Sequence, residues 1–569
     1  MKKHVLLIIL VFAFLLRFWN VSKYPEAIDE DEMALGYYGY SLIHAGTDEY
    51  GNKFPIYFKS VGDFKYGLYS YFAAIPVGIF GLSPLTARLV SVFAGVASVF
   101  AVYLLAFEIS RNKSYALLTA FVLAVSPTHI HFSRVAYSNV LGATFAVFSL
   151  VYFIRCLKKG GLIRKNVVSL FVFFTLALFS YQAYRIFLPA TFLLIFPIFA
   201  VGLKRRDFLP RMLLIFAAIL IVFASFISRE SRARASGLST LIEQPKIDEQ
   251  IAEDGYVSRS IFVTRLFHNK AGSVATGFLK RYISYFDPGF LFVEVSPADG
   301  RHTTPGVGLL YLIEAPLLLF GLLGLGLTIK GREKFVPIIL VFSAPLAASL
   351  VLDSTSVTRS VILVYVFSLL ISLGIYYLSQ WHRVGKILLM GVFCLYFVSL
   401  FYFIHQYFIH KVYHHPWYGD FGLGEMVSEV NKRGNDYSAV VVSAGHYIPF
   451  LFYNHTDPAV FKEQSEFLPG GGVIRYGKIY FNMPEKCPLA GKRNVLYVCF
   501  GYQVPTSARV LRVIYFRDGQ PAIFLIEFTG DEGKSPLPER LEYFKSSSSV
   551  FPDGIIPADY PSFWSLKGI

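Results

Sequence analysis

The sequence is short of charge and of cysteine, and each shortage excludes something. Only 16% of the 569 residues are Asp, Glu, Lys or Arg while 54% are hydrophobic, which removes intrinsic disorder and does not describe a row of soluble modules. Four Cys cannot staple a small secreted scaffold. No repeat of fixed period runs through the chain, and the Ser546 to Ser549 run is too short to be more than a loop. What abounds is apolar and aromatic, with 56 Phe and 37 Tyr, far from a collagenous composition. The formal net charge of +15 would suit a nucleic-acid binder if the cations were gathered on one domain, so their placement decides.

They fall between the apolar runs. A bilayer core of about 30 Å takes about 17 to 25 apolar residues per helix. Hydrophobic runs occur near 5-19, 86-107, 115-127, 139-155, 166-180, 186-203, 211-228, 306-329, 335-351, 360-379 and 386-408, which predicts about eleven crossings. Lys2 and Lys3 and the clusters Arg111/Lys113, Arg155/Lys158/Lys159/Arg164/Lys165, Lys204/Arg205/Arg206/Arg211, Lys330/Arg332/Lys334 and Arg383/Lys386 sit on every second connection, the mark of cytoplasmic loops. The alternate connections, including the acid-rich stretch from Glu26 through Glu49 and the long 229-305 segment, then face outward. An odd number of crossings puts 411-569 outside too. Positive charge is thus a topology signal, and nucleic-acid binding falls away. The first run begins like a signal peptide, but Arg17, Phe18 and Trp19 follow it in place of a small-residue cleavage site, so it is expected to remain as an anchor.

The expected fold is a polytopic α-helical membrane protein with a soluble outer domain at its C-terminal end. Residues 1-410 form the membrane domain, with 20-85 as the first outer loop and 229-305 as the second. In 411-569, apolar runs at Ala439 to Ser443, Asn494 to Phe500, Val510 to Phe516 and Ala522 to Phe528 read as strands of an α/β or α+β domain. Cys487 and Cys499 both lie there, where an oxidising milieu permits a bridge; spacing alone leaves bridged and free states open. Cys156 and Cys394 read as apolar filler.

A channel or transporter concentrates ionisable residues inside its spans, often in two matching halves. Here the carboxylates crowd into the first outer loop: Asp29, Glu30, Asp31, Glu32, Asp48, Glu49 and Asp63, with Lys65 beside them. The charges near the apolar runs gather at their outer ends: Arg134 with His129 and His131, Arg185 with Tyr181 and Gln182, and Asp353 with Arg359. By the charge topology all face the same side, the layout of an enzyme acting on a lipid-linked anionic substrate. Each group also has a plainer reading. An acidic cluster is often only a solvated surface, Arg134 and Arg185 can snorkel to headgroups, and Asp353 and Arg359 can form a structural ion pair. His129 and His131 read as loop histidines, as donor contacts, or with a carboxylate as metal ligands. A divalent metal therefore stays open, and no other cofactor is expected. His414, His415, His446 and His455 have no evident ligand partners.

Taken in order, Asp31-Glu32-Met33-Ala34-Leu35-Gly36-Tyr37, Gly62-Asp63-Phe64-Lys65, Ala87-Arg88-Leu89, Ser126-Pro127-Thr128-His129-Ile130-His131-Phe132-Ser133-Arg134, Tyr181-Gln182-Ala183-Tyr184-Arg185 with Pro189, Pro305-Gly306-Val307-Gly308-Leu309-Leu310-Tyr311, and Asp353 with Thr358-Arg359-Ser360 resemble the membrane glycosyltransferases related to protein O-mannosyltransferases and the aminoarabinose transferase of lipid A. The resemblance spans roughly residues 5 to 410. It implies a GT-C architecture that moves a sugar from a polyprenyl-phosphate monosaccharide to a lipid, glycan or protein acceptor at the outer membrane face. It also implies Asp31 as the base, with Glu32 beside it; Lys65, Arg134, Arg185 and Arg359 as donor-phosphate cations; and Asp63, His129, His131, Tyr181, Gln182 and Asp353 as substrate contacts. The later of the two Asp-Glu registers is chosen because Gly36-Tyr37 follows it at the family spacing. Two departures stand out: Lys65-Tyr66-Gly67-Leu68 where relatives often have Lys-Pro-Pro-Leu, and Ser138 and Asn139 where many carry an acid, which removes a second carboxylate. A lipid-linked sugar polymerase or flippase, and a noncatalytic anchor displaying a binding module, are the alternatives; the acidic first loop argues against the anchor.

Overall fold

The structure, a computed structural model, describes residues 2–60, 63–158, 160–201, 204–227, 244–256, 260–295, 297–351, 355–414, 420–443, 445–468, 472–483, 487–500, 504–505 and 507–528. It divides into two compact units. The first takes Met1–Trp19, Ser91–Ser133 and Ser138–Gln406; the second takes Asn20–Val90, Arg134–Tyr137 and Tyr407–Ile569. The 20-85 segment thus groups with the C-terminal segment, whereas the sequence reading placed it in the membrane domain. Contacts between residues far apart in the chain decide this.

The first unit is helical. Among the described residues six segments are long and apolar enough to cross a membrane: Pro84–Ser110, Ser138–Leu157, Arg205–Ser225, Gly331–Leu350, Ile362–Ser379 and Arg383–His410. Others of the eleven expected runs form shorter helices, Lys2–Phe18, Lys113–Val125, Arg164–Ser180, Tyr184–Ala200 and Glu314–Thr328. The 306-329 run loses its first residues because Pro305 to Gly308 turn before the helix begins, with Gly306 at φ +64°. The protein is a multi-pass membrane protein of helical type.

Packing within this unit follows from small residues. A Cβ on Gly321 would stand 2.0 Å from the carbonyl oxygen of Leu370, and one on Gly374 would stand 2.1 Å from that of Leu317. Helices Glu314–Thr328 and Ile362–Ser379 therefore meet backbone to backbone, an approach larger side chains forbid. Three of the basic clusters also come together at one end of the unit. Glu108 accepts from Arg155 at 2.8 Å and pairs with Arg111 at 3.0 Å and Lys158 at 3.6 Å, while Arg211 reaches the carbonyls of Cys156, Leu157 and Lys158. The clusters at 111–113, 155–165 and 204–211 share an end, as loops on a common side must.

The second unit carries two sheets. Strands β1 (Tyr57–Ser60) and β2 (Asp63–Tyr66) form an antiparallel hairpin with Phe58 opposite Lys65. The C-terminal segment builds a seven-stranded mixed sheet from β3 (Ala439–Ser443), β4 (Ser465–Phe467), β5 (Val473–Tyr476), β6 (Ile479–Met483), β7 (Val495–Phe500), β8 (Ala508–Tyr515) and β9 (Pro521–Phe528). Their order is β4-β5-β6-β3-β7-β9-β8. The central strand β3 runs parallel to β6 and to β7, and every other pair is antiparallel. All four expected strands are present; β4, β5 and β6 are additional, and β4 and β5, at three and four residues, are too short to read from alternation. One face of the sheet is closed by Val441, Tyr497, Ile526 and Phe528 around a Cys487–Cys499 disulfide, which resolves the alternative left open above.

Candidate active site

The four consecutive acids begin a helix, Glu30–His44. Asp29 is its N-cap, its carboxylate accepting from the Glu32 amide at 2.9 Å, and Glu30, Asp31 and Glu32 fill the first turn, where negative charge complements the exposed amides and the helix dipole. Part of the acidic run is therefore a helix start, the plainer reading of such a cluster. The four side chains then diverge.

Glu32 is buried and bound. Its two oxygens accept from Arg88 Nε and Nη2, both at 2.8 Å, and Oε2 also accepts from the Ala136 amide at 2.7 Å. Arg88 in turn donates to the carbonyls of Val21, Pro25 and Ala27, each at 3.0 Å. One guanidinium thus ties the chain entering the helix, the helix itself and its own element. Both side chains are almost fully inaccessible, so removing either partner leaves a buried charge, a loss of about 3–5 kcal/mol. Glu30 lies beside His446, with Oε1 2.9 Å from Nδ1, and its amide donates to Asp420 at 3.2 Å. Asp29 accepts from the Tyr137 hydroxyl at 2.9 Å.

Asp31 alone keeps an accessible carboxylate, with 38% of its side chain exposed. It is ion-paired with Lys65, which β2 presents, and Tyr137 lies 3.4 Å from its other oxygen. Asp63 opens β2 and pairs with Ser60 across the hairpin. Arg134 is fully buried, donating to the Tyr24 carbonyl at 3.1 Å with its guanidinium over the rings of Phe408 and Tyr407, 5.0 and 5.7 Å from their centroids. Within this unit the structure brings together Asp31, Glu32, Lys65, Tyr137 and Arg88.

The remaining expected residues belong to the helical unit. His129 is sealed from solvent; its Nδ1 lies 2.6 Å from Arg17 and its Nε2 2.8 Å from Ser98 and 3.1 Å from Tyr365. Arg17 can only donate, so Nδ1 is the acceptor and the ring is the neutral Nε2–H tautomer. A ring engaged on both nitrogens holds its segment and is not free to ligate a metal. His131 Nε2 is 3.2 Å from His302 Nδ1. Tyr181 and Gln182 form the turn before helix Tyr184–Ala200, and Arg185 in its first turn stacks over Phe226 at 4.8 Å. Arg359 lies on the short helix Val357–Ser360. Asp353 lies outside the described residues. Among the described residues no cluster of three His, Cys, Asp or Glu side chains could hold a metal ion.

Sequence reasoning missed several partners. Arg88 entered only as part of a motif, although an arginine opening an apolar helix is itself a signal. Tyr137 and His446 carried no local signal, since each meets the acids only through the fold. Gly36 has a packing reason as well: a Cβ there would sit 2.9 Å from that of Ala87 and 3.1 Å from the Phe452 ring.

Residues 7–200 match the family of dolichyl-phosphate-mannose-protein mannosyltransferases. That stretch carries the acidic helix, the hairpin lysine and the arginines at 88, 134 and 185. No curated protein matches the chain. Among solved structures, the oligosaccharyltransferase of Archaeoglobus fulgidus, tethered with an acceptor peptide containing the NVT sequon, is similar at 14% identity and a TM-score of 0.47 over 80% of this chain and 63% of its own. The chain thus spans less than two thirds of that protein's length. ArnT from Cupriavidus metallidurans, bound to undecaprenyl phosphate, is similar at 10% identity and a TM-score of 0.49 over 94% of this chain and 98% of its own.

Proposed function

We propose that the protein is an inverting glycosyltransferase that moves a monosaccharide from a polyprenyl-phosphate sugar to a lipid, glycan or protein acceptor at the outer face of the cell membrane. The observation that carries this reading is the division of labour among four adjacent acids: three are committed to capping, to Arg88 and to His446, and Asp31 remains accessible with a lysine at its side. The match of residues 7–200 to the mannosyltransferase family supports it, and the alternation of basic loops supports an extracytoplasmic side for the acidic loop and the C-terminal domain.

In this reading the acceptor hydroxyl oxygen attacks the anomeric carbon opposite the phosphate and Asp31 takes its proton. The bond from that carbon to the phosphate oxygen breaks, with its electron pair leaving on the polyprenyl phosphate. General-base assistance of this kind contributes about 10² to 10⁴ in rate. Lys65 answers the negative charge that grows on the leaving phosphate. Its pairing with Asp31 suggests a sequence: an arriving phosphate draws Lys65 away and frees the carboxylate to act. Arg134, Arg185 and Arg359 are further candidates for the phosphate, and Asp63, His131, Tyr181, Gln182 and Asp353 for the substrate. His129, with both nitrogens occupied, acts by holding its segment, and Glu32 by anchoring the helix. The donor and its acceptor are the partners, and the bilayer is the medium.

The test incubates purified protein with a panel of polyprenyl-phosphate monosaccharides and membrane extract and measures release of free polyprenyl phosphate. Wild type should release it and Asp31→Asn should not, while inserting and folding normally. Equal turnover by the two would move the base elsewhere.

A further inference from the structure

We propose that His446 and Tyr447 are positioning residues that hold the helix bearing Asp31, through Glu30 and Glu49, so that the C-terminal domain is a working part of the transfer site. The proposal rests on the sugar-transfer reading of Asp31. Strand β3 is the centre of the mixed sheet, flanked by parallel β6 and β7. In open sheets of this kind the ligand site lies beyond the carboxyl ends of the parallel strands. In this domain that position is taken by the chain's own acidic loop.

Gly445, at φ +70°, turns the chain after β3, and the next two residues leave the sheet as side chains aimed at the loop. His446 stands against the ring of Phe500 at the end of β7, centroids 4.9 Å apart, with Nδ1 in close contact with Glu30 Oε1 at 2.9 Å, outside hydrogen-bonding geometry, and both atoms sealed from water. Tyr447 is buried between Phe461 and Phe481 and donates its hydroxyl to Glu49 Oε1. The segment that follows adds two more ties to the same helix: Tyr37 donates to the Thr456 carbonyl and Tyr40 to that of His455, each at 3.0 Å.

The spacing gives these ties a purpose. Glu30 immediately precedes Asp31, on the first turn of a helix whose opening also hangs on Asp29 and Glu32. A shift of about 1 Å at a reacting group costs about 100-fold in rate, and a first turn frays most easily when its side-chain ties are cut. His446 therefore acts on Asp31 through Glu30, without touching substrate. A domain that merely displayed an acceptor-binding face would need none of these contacts to the acidic loop.

The experiment uses the full chain in lipid nanodiscs, with His446→Ala, His446→Gln, Glu30→Gln and the double variant His446→Ala/Glu30→Gln. Amide exchange across Glu30–His44 should quicken about tenfold in His446→Ala and in Glu30→Gln, no further in the double variant, and recover in His446→Gln, which keeps a polar side chain of similar reach beside Glu30. With dolichyl-phosphate mannose as the probe, kcat should fall about 100-fold while KM moves less than about threefold. Wild-type exchange in both single variants, additive effects in the double, or a rise in KM with kcat unchanged would overturn the proposal. If His446→Ala disrupts the sheet itself, Glu30→Gln, which lies outside the sheet, decides. A wild type that turns over no sugar donor would defeat the transfer reading alone, because the exchange comparison needs no activity.

Discussion

Glu49→Gln is expected to change how the protein's stability depends on pH, and the size of the change follows from where the carboxyl sits. Glu49 is wholly buried in the acidic loop, with Oε1 accepting from Tyr447 and Oε2 closed off from water. Burial pushes its carboxyl from 4.5 up to about 8; the nearby charge of Asp48 adds to the rise, while the Tyr447 hydrogen bond and Lys65 oppose it. The folded state therefore holds a proton that the unfolded chain has released across the interval between those two values. Stability from this group is complete below the unfolded value, falls by about 1.4 kcal/mol per pH unit through the interval, and is level above the folded one. The whole interval is worth at most about 5 kcal/mol. Gln keeps an acceptor for Tyr447 and has no proton to lose. Melting temperatures of variant and wild type should nearly coincide at about pH 4.5 and draw apart steadily toward about pH 8, with the variant the more stable. Curves that stay parallel over that range would refute the picture of a carboxyl buried as its acid.

Other outcomes can be stated more briefly. Asp31→Asn should lower sugar transfer by about 10² to 10⁴ with unchanged melting, read as released polyprenyl phosphate; normal turnover would point to another base. Lys65→Ala should weaken donor binding by about 10- to 100-fold, the worth of one charge-assisted contact, and an unchanged donor titration would count against its phosphate role. Arg88→Ala should cost about 3–5 kcal/mol by leaving Glu32 buried without its partner, whereas a variant within about 0.5 kcal/mol of wild type would mean the pair is dispensable. Reducing Cys487–Cys499, which closes a loop with a sequence separation of 12, should cost about 3 kcal/mol in the C-terminal domain and leave Asp31 chemistry in place at low temperature.

The outline of the molecule was written in local composition. Apolar runs predict helices because a chain segment with few charges must satisfy its own backbone in lipid, and the runs at 86-107, 139-155, 360-379 and 386-408 appear as the helices Pro84–Ser110, Ser138–Leu157, Ile362–Ser379 and Arg383–His405. Alternating apolar residues in the same way announced β3, β7, β8 and β9. The acidic loop was visible too, as were Lys65 and the arginines that accompany it.

Which acid does what could not be read locally, because Asp29 through Glu32 are chemically near-identical neighbours that differ only in what they face. A helix turns about 100° per residue, so consecutive side chains point at different partners: Asp29 at its own helix, Glu30 at His446, Asp31 at Lys65 and Glu32 at Arg88. Those partners are 34, 56 and 416 residues away along the chain, as 65 − 31, 88 − 32 and 446 − 30 show. Sequence by itself determined a helical membrane protein with an acidic loop and a separate sheet. Only the tertiary structure decided that the loop groups with the sheet, that three carboxylates are held and one is left accessible, since burial and hydrogen bonding are set by residues that meet in space and not along the chain.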